Sequence, residues 1–259
     1  MLGGRKAMPR FFINKDQIEN GCVTIHGDDA HHVARSLRMA VGEHITVCDG
    51  EQEHDCVLSA FDEDRNVTAH IVSSMPLKGE PPYSVTLYQA LPKGDKLDTI
   101  IQKAVECGAS CIVPFESEHC VVRMRPDAEE RKTERRDRIA HEAAKQSGRG
   151  ILPTVQATMS YQRMLEEASK ADLVLFCYEG EGTMPLHSLL REKKTDGTLP
   201  KDRNPNIAIV IGSEGGFSSR EVQMAQQNEF CMTGLGSRIL RTETASCFVL
   251  SNLVYEFEL

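Results

Sequence analysis

The sequence predicts an α/β protein in two parts: a small strand-rich N-terminal module and a larger C-terminal domain on a parallel sheet. Three observations carry this. From Arg10 to Ser74 short apolar runs alternate with polar turns, the pattern of a small β-barrel or β-sandwich. From Met75 to Pro82 three prolines and a glycine fall within eight residues, which stops both helix and strand. From Tyr83 onward apolar runs alternate with helical patterns, which implies βαβ units and a sheet covered on both faces. The expected division is 1–75 for the first domain, 76–82 for a linker and 83–259 for the second domain.

Within the first part, Phe11 to Ile13 reads as a strand, and Cys22 to Ile25 alternates before His26-Gly27. Asp28 to Met39 predicts a helix capped by Asp28 or Asp29, with Ala30, Val33, Ala34 and Leu37 on one face. His44 to Asp49, Asp55 to Phe61 and Asn66 to Ser73 complete the strands, with turns at Gly50 and from Asp62 to Arg65. The other face of the early helix carries His31, His32, Arg35 and Arg38. Charge on a helix face is ordinarily solvated surface. On a small β-barrel the same groups also make a phosphate-contact face, and the residues leave both readings open.

In the second part, Ser84 to Ala90 is a strand and Pro92 to Asp95 a turn. Asp95 to Cys107 is a helix with Leu97, Ile100, Ile101, Ala104 and Val105 on one face, stopped by Gly108. Cys111 to Phe115 is the next strand. Asp127 to Gln146 is a long charged helix with a narrow strip of Ile139, Ala143 and Ala144. Leu173 to Cys177 and Ile207 to Ile211 are buried strands, Lys193 to Asn206 is a polar surface loop, and a short strand spans about Glu229 to Thr233. The final helix, about Thr244 to Phe257, is apolar on more than one side, which suits a central core helix or a dimer contact.

Two stretches near the C-terminus stand out. Gly212-Ser213-Glu214-Gly215-Gly216-Phe217-Ser218 follows a buried strand, and Ser218 with Glu221 forms a capping-box pattern that starts a helix. Leu235-Gly236-Ser237-Arg238-Ile239-Leu240-Arg241-Thr242-Glu243 leads from a strand into the final helix. Glycines after strands are common in turns. Glu214, Arg238, Arg241 and Glu243 are charges that no turn requires, so two such loops at sheet ends point to one ligand pocket with two walls. The spacing is neither the dinucleotide fingerprint nor a P-loop.

Composition narrows the classes. The chain has 259 residues, 40% hydrophobic, and no apolar run near the length of a membrane span. Nine cysteines, an odd number without C-x-x-C spacing, argue against a zinc site or a disulfide framework and fit a reducing cytoplasm. Residues 1–7 are small and basic, and Met8-Pro9-Arg10-Phe11-Phe12 reads as a second beginning. The net charge of −8 speaks against nucleic acid as a sum. Basic residues nevertheless gather at Arg5, Lys6 and Arg10, along His31 to Arg38, and from Arg123 to Arg138. Glu116, Glu118 and His119 match no metal-ligand spacing, so no metal is expected. Arg123 and Arg125, beside a strand end, are the better phosphate contacts.

These residues resemble a known family. The two glycine loops, together with Pro9-Arg10-Phe11-Phe12, His32 through Arg38, Leu91 to Asp95, Ile101 to Ala104, Glu118 to Arg123 and Glu142 to Arg149, are similar to the RsmE-type 16S ribosomal RNA uridine-N3 methyltransferases of the SPOUT class. The likeness runs in order over almost the whole chain. It implies a PUA-like RNA-binding β-barrel followed by an α/β domain with a deep trefoil knot, working as a homodimer on the small ribosomal subunit. It implies S-adenosylmethionine held by Cys177, Gly212, Glu214, Gly215, Gly216, Leu235, Gly236, Ile239 and Leu240. Arg241, Arg123 and Glu243 become the catalytic candidates, Glu243 as a base or as a charge at the helix start. Arg10, His32, Arg35, Arg38, Lys93 and Arg125 become the RNA-binding candidates. This chain has Ser213 and Ser237 where the family usually has proline, which loosens both loops. Three other readings compete: a methyltransferase acting on another RNA base, a ribosome-associated RNA-binding protein without catalysis, and a phosphate-binding metabolic enzyme.

Overall fold

The computed structural model describes residues 8–62, 66–123 and 126–259. The basic stretch 1–7, most of the turn expected from Asp62 to Arg65, and Arg125 lie outside the described residues. The described residues fall into two compact units, one made of those up to Glu80 with Ala144–Leu152, the other of those from Pro81 to Ala143 with Pro153–Leu259.

The first unit contains β1 (Arg10–Phe12), β2 (Ile18–Glu19), β3 (Cys22–Ile25), β4 (His44–Cys48), β5 (Gln52–Phe61) and β6 (Val67–Pro76). They form a half-barrel in the order β1-β4-β5-β6-β3-β2, in which β1 and β4 pair in parallel and the other described pairs are antiparallel. Period-two alternation sends Val23, Ile25, Ile45, Val47, Leu58, Val67 and Ala69 to one side, where they close on Phe11, Ala30 and Val33. The early helix is shorter than expected. α1 (Gly27–His31) runs into a single wide turn, His32–Ser36, and Arg38 ends it at φ 53°. The wide turn breaks the 3.6-residue register of the expected face, so Leu37 is exposed while Ala30 and Val33 remain in the core, and Arg38 in the left-handed region ends the helix. Residues 144–152 pack with this unit. Arg149 is buried against Glu80, 2.8 Å away, and the N–H groups of Gly150 and Ile151 donate to the same carboxylate.

The second unit carries β7 (Ser84–Ala90), α2 (Lys96–Glu106), β8 (Cys111–Glu116), most of α3 (Pro126–Ser147), β9 (Thr154–Val155), β10 (Met159–Ser160), α4 (Tyr161–Ala168), β11 (Leu173–Cys177), β12 (Met184–Pro185), α5 (Leu186–Thr195), β13 (Asn206–Ile211), α6 (Ser219–Gln227), β14 (Cys231–Gly234) and α7 (Thr242–Phe257). All its strand pairs are parallel, in the order β10-β8-β7-β13-β11-β14-β12 with β9 beside β8. The chain lays β13 between β7 and β11, which were formed earlier in sequence. That reversal brings the ends of β11, β13 and β14 side by side, the place where parallel sheets bind ligands.

The helices follow from their apolar spacing. α2 buries Leu97, Ile100, Ile101, Ala104 and Val105. α4 and α5 have no counterpart in the sequence reading. α4 carries its signal plainly, a Ser160 cap followed by buried Tyr161, Met164, Leu165 and Ala168 at i, i+3, i+4 and i+7. α5 takes the first residues of the loop expected from Lys193 onward. The last strand begins two residues later than expected because Glu229 turns at φ 59°. α7 buries Ala245, Val249, Leu250 and Leu253 and leaves Phe248 and Tyr255 exposed.

Candidate active site

The two glycine loops enclose one cavity of about 580 Å³, lined by Cys177, Tyr178 and Glu179 after β11, by Ile211 to Phe217 after β13, and by Leu235 and Ile239 to Thr242 after β14. Lys96 and Ala245 complete the lining. The volume lies within the range typical of small-molecule sites.

The first loop is shaped by close contacts. A side chain at Gly212 would meet the Phe217 ring at 3.1 Å, and one at Gly215 would lie 2.9 Å from the His119 Cβ. Gly216 turns at φ 63°, where a Cβ is disfavoured. Phe217 is anchored by packing, with its ring 4.4 Å from Phe176 and stacked on Phe115. Ser218 then caps α6. Its N–H donates to Glu221 Oε2 at 2.9 Å, and the Glu221 N–H donates to its Oγ at 3.3 Å. The other carboxylate oxygen of Glu221 accepts the Glu118 N–H at 2.8 Å. His119 Nδ1 lies 2.9 Å from the Gly215 carbonyl, which can only accept, so that nitrogen carries the proton.

Glu214 faces two cationic or donor partners. Lys96 Nζ lies 2.7 Å from its carboxylate, and the Lys93 N–H donates to it. Burial raises the Glu214 pKa, but the hydrogen bond from Lys96 and the backbone donors outweigh it and hold the carboxyl below the usual range. The same bond, with the charge of Glu214, raises the Lys96 ammonium. Lys96 also stands 3.7 Å from Glu243 Oε2.

The second loop offers main-chain donors. Among the described residues the N–H groups of Gly236, Ser237, Arg238, Ile239 and Leu240 make no hydrogen bond. Beneath the loops Gln89 is fully buried. Its Nε2 donates to Thr242 Oγ1 at 2.9 Å, and that hydroxyl donates to the Gly212 carbonyl at 2.7 Å. Among the described residues Ser213 Oγ, Gln89 Oε1 and Glu243 Oε2 are buried without a hydrogen-bond partner. Orphaned polar atoms of this kind are few in folded proteins, and the one of the three that lines the cavity, Ser213 Oγ, marks a place for a polar ligand.

The structure brings most of the sequence-read residues together. Cys177, Gly212, Glu214, Gly215, Gly216, Leu235, Ile239, Leu240 and Arg241 all line the cavity. Gly236 sits between them at φ 106°, and Glu243 lies in the first turn of α7. Arg241 is exposed and hydrogen-bonds through its carbonyl to the Thr244 and Ala245 N–H groups. Arg123 is elsewhere. Its guanidinium is tied to Glu116 Oε1, Ser117 O and Glu118 O, and it lines a separate depression. Lys93, Arg35 and Arg38 are exposed, and His32 sets its ring against Phe11. Arg10 is turned inward, with its guanidinium on Glu53 at 2.9 Å and on Cys48 Sγ. Arg125 lies outside the described residues. Phe217 and Thr242 belong to the two loops that stand out in the sequence, though without a role there, whereas Lys96, Tyr178, Glu179 and Gln89 were not among the expected site residues. Gln89 had a signal, a long polar side chain near the end of an otherwise buried strand.

No helix among the described residues is long and apolar enough to cross a membrane. Among them no group of three His, Cys, Asp or Glu is placed to hold a metal ion.

Comparison with known proteins agrees with this geometry. Residues 79–254 match the family model of the RNA methyltransferase domain, and residues 25–72 match that of the RNA methyltransferase PUA domain. The ribosomal RNA small subunit methyltransferase E of Bacillus subtilis is 35% identical, over 97% of this chain and 98% of its own length. The protein of that name from Synechocystis is 30% identical over 94% of this chain and 76% of its own. A crystal structure of the Neisseria gonorrhoeae enzyme of that name, bound to S-adenosyl methionine, superposes with a TM-score of 0.79 at 28% identity, covering 96% of this chain and 97% of the other. On a family match that spans the whole sheet and both loops, the chain belongs to the ribosomal RNA small subunit methyltransferase E family.

Proposed function

We propose that the chain transfers a methyl group from S-adenosylmethionine to the N3 of a uridine near the 3′ end of 16S ribosomal RNA, in the small ribosomal subunit and in the cytoplasm. The observation that supports this best is the cavity between the two glycine loops. Its unbonded N–H groups from Gly236 to Leu240 suit the edge of an adenine, and Leu235, Ile239 and Leu240 suit its face. The orphaned Ser213 hydroxyl suits a polar group of the same ligand.

S-adenosylmethionine supplies a methyl group on a sulfonium that is already a good leaving group, so the task of the chain is largely to position. Uridine N3 carries a proton that must leave before the nitrogen attacks. Arg241 stands at the cavity wall with its guanidinium unbonded among the described residues, which suits a role in stabilising charge on the uracil oxygens. Glu243 offers a buried carboxylate oxygen that makes no hydrogen bond among the described residues and stands 3.7 Å from Lys96 Nζ, a candidate acceptor for the N3 proton. Its place in the first turn of α7 is also favourable for a negative charge, so the two roles coincide. Arg123 would act from the neighbouring depression. For RNA contact, Arg35 and Arg38 are exposed on the first unit with His32 beside them, and Lys93 is exposed on the second. The exposed Phe248 and Tyr255, seven residues apart on α7, support a homodimer formed through that helix. Sedimentation showing a monomer at micromolar concentration would refute the dimer.

The direct test of the pocket is a melt with S-adenosylmethionine. Binding to the folded chain raises the melting temperature by mass action. Leu240→Arg places a charge on the proposed adenine face, and calorimetry is expected to show no binding. Unchanged affinity in that variant would rule out the assignment of this loop.

A further inference from the structure

Beside the cofactor cavity the second unit carries another depression, of about 460 Å³, whose open groups come from Glu118, Ser160, Gln162, Arg220 and Met224 over the buried ring of Tyr161. We infer that it is a subsite for the nucleobase next to the target uridine, and that it prefers guanine. The inference rests on the proposed RNA substrate.

Position comes first. The strand register sets Ile211, Gln89, Ala90, Phe115 and Met159 along one edge of the sheet. The cofactor cavity opens at the end of β13, and the depression opens at the ends of β8 and β10. One strand, β7, lies between β13 and β8, so the two sites are offset by two strand spacings, roughly 10 Å. The wall between them is thin and fixed. It consists of His119 against Gly215 and of Glu221, whose two oxygens are taken by the Ser218 and Glu118 N–H groups. A splayed single strand with one base at the cofactor therefore has its neighbour within reach of the depression.

Chemistry then selects the ligand. Among the described residues the side chains of Glu118 and Arg220 make no hydrogen bond or ion pair, and both are exposed. Arg220 lies in the first turn of α6, where the helix dipole disfavours a cation, so helix stability does not place it there. A phosphate is the obvious alternative. The lining holds three carboxylates, Glu116, Glu118 and Glu221, against two guanidinium groups, Arg123 and Arg220, which does not favour an anion. A flat neutral ligand fits better. Met224 and the Arg220 side chain line the depression and can cover the faces of such a ligand, the mode by which proteins hold unstacked RNA bases. Its edge must offer donors to the unbonded Glu118 carboxylate. Guanine presents two adjacent N–H donors, at N1 and N2, that match a carboxylate as a pair.

The test uses the full chain with methyl-labelled cofactor and small ribosomal subunits reconstituted with each base in turn on either side of the methylated uridine. The wild type is expected to give its highest kcat/KM with guanine at one flank and to lose about tenfold or more with inosine, which lacks the N2 donors. Glu118→Gln and Arg220→Ala are expected to raise KM for subunits while leaving cofactor affinity by calorimetry unchanged, and Glu118→Gln no longer distinguishes guanine from inosine. Equal rates with every flanking base, or wild-type KM in both variants, would overturn the subsite while leaving the methyltransferase reading intact. Should no subunit be methylated at all, that reading fails first. The subsite is then decided by titrating methyl-labelled protein with guanosine, where a shift of the Met224 methyl signal absent with cytidine supports it and an unmoved signal refutes it.

Discussion

Glu221→Ala is the perturbation whose cost can be worked most fully from the structure. The Glu221 side chain is buried, and its two oxygens each accept one backbone N–H, from Ser218 at 2.9 Å and from Glu118 at 2.8 Å. Both bonds are to an ionised acceptor. Each contributes roughly 1.5–3 kcal/mol, so removing both costs about 3 kcal/mol after partial rescue by water. For a chain of this size that is a fall in melting temperature of about 6–12 °C. The loss should not stop at stability. Ser218 ends the first glycine loop and Glu118 belongs to the segment that braces Gly215, so S-adenosylmethionine should bind more weakly in the variant even below its melting range. Glu221→Gln keeps one acceptor but turns an amide N–H₂ toward the other donor, and is expected to recover less than half of the loss. Calorimetric melts with and without cofactor read both effects. A melting temperature within 2 °C of wild type, or reduced stability with unchanged cofactor affinity, would refute the idea that this carboxylate ties the loops together.

Two further outcomes follow from buried polar groups. Ser213→Ala removes an orphaned hydroxyl, so the variant should melt at or slightly above the wild-type temperature without cofactor while its affinity for S-adenosylmethionine falls about tenfold; a destabilised variant with full affinity would contradict this. Glu129 is buried with Thr158 and Arg136. Burial raises its pKa, but the Thr158 hydroxyl and N–H and the Arg136 charge outweigh it and lower the carboxyl overall. Its stabilisation is therefore complete above the ordinary glutamate value of about 4.3 and is lost as pH falls through the lowered folded value. Denaturant titrations should show Glu129→Gln less stable than wild type at pH 7, with the gap closing toward pH 3, and a gap independent of pH would refute that cause.

Much of this site was legible because strong local patterns carry it. The capping box at Ser218 and Glu221, the buried strand before Gly212 and the charges at Glu214, Arg241 and Glu243 are all visible within short windows. What was not legible depends on distant contacts. Nothing near Glu221 in sequence says that its second oxygen holds the Glu118 N–H. Nothing near Gln89 says that it sits under both loops, since only the insertion of β13 beside β7 brings it there. Arg123 shows the reverse. Its place after a strand end suggested a phosphate contact and the family likeness a catalytic role, but neither shows that its guanidinium is bound to Glu116 and two carbonyls in the adjoining depression. Arg10, read as an RNA contact, is turned onto Glu53. The early helix stopped short because Arg38 adopts a left-handed conformation that no propensity announces.

The central assignment is tested most directly by mass spectrometry of 16S ribosomal RNA after incubation of unmodified small subunits with the chain and methyl-labelled S-adenosylmethionine. The assignment requires one labelled methyl group, on the N3 of a single uridine near the 3′ end. Absence of label, or label on another base or ring atom, would contradict it.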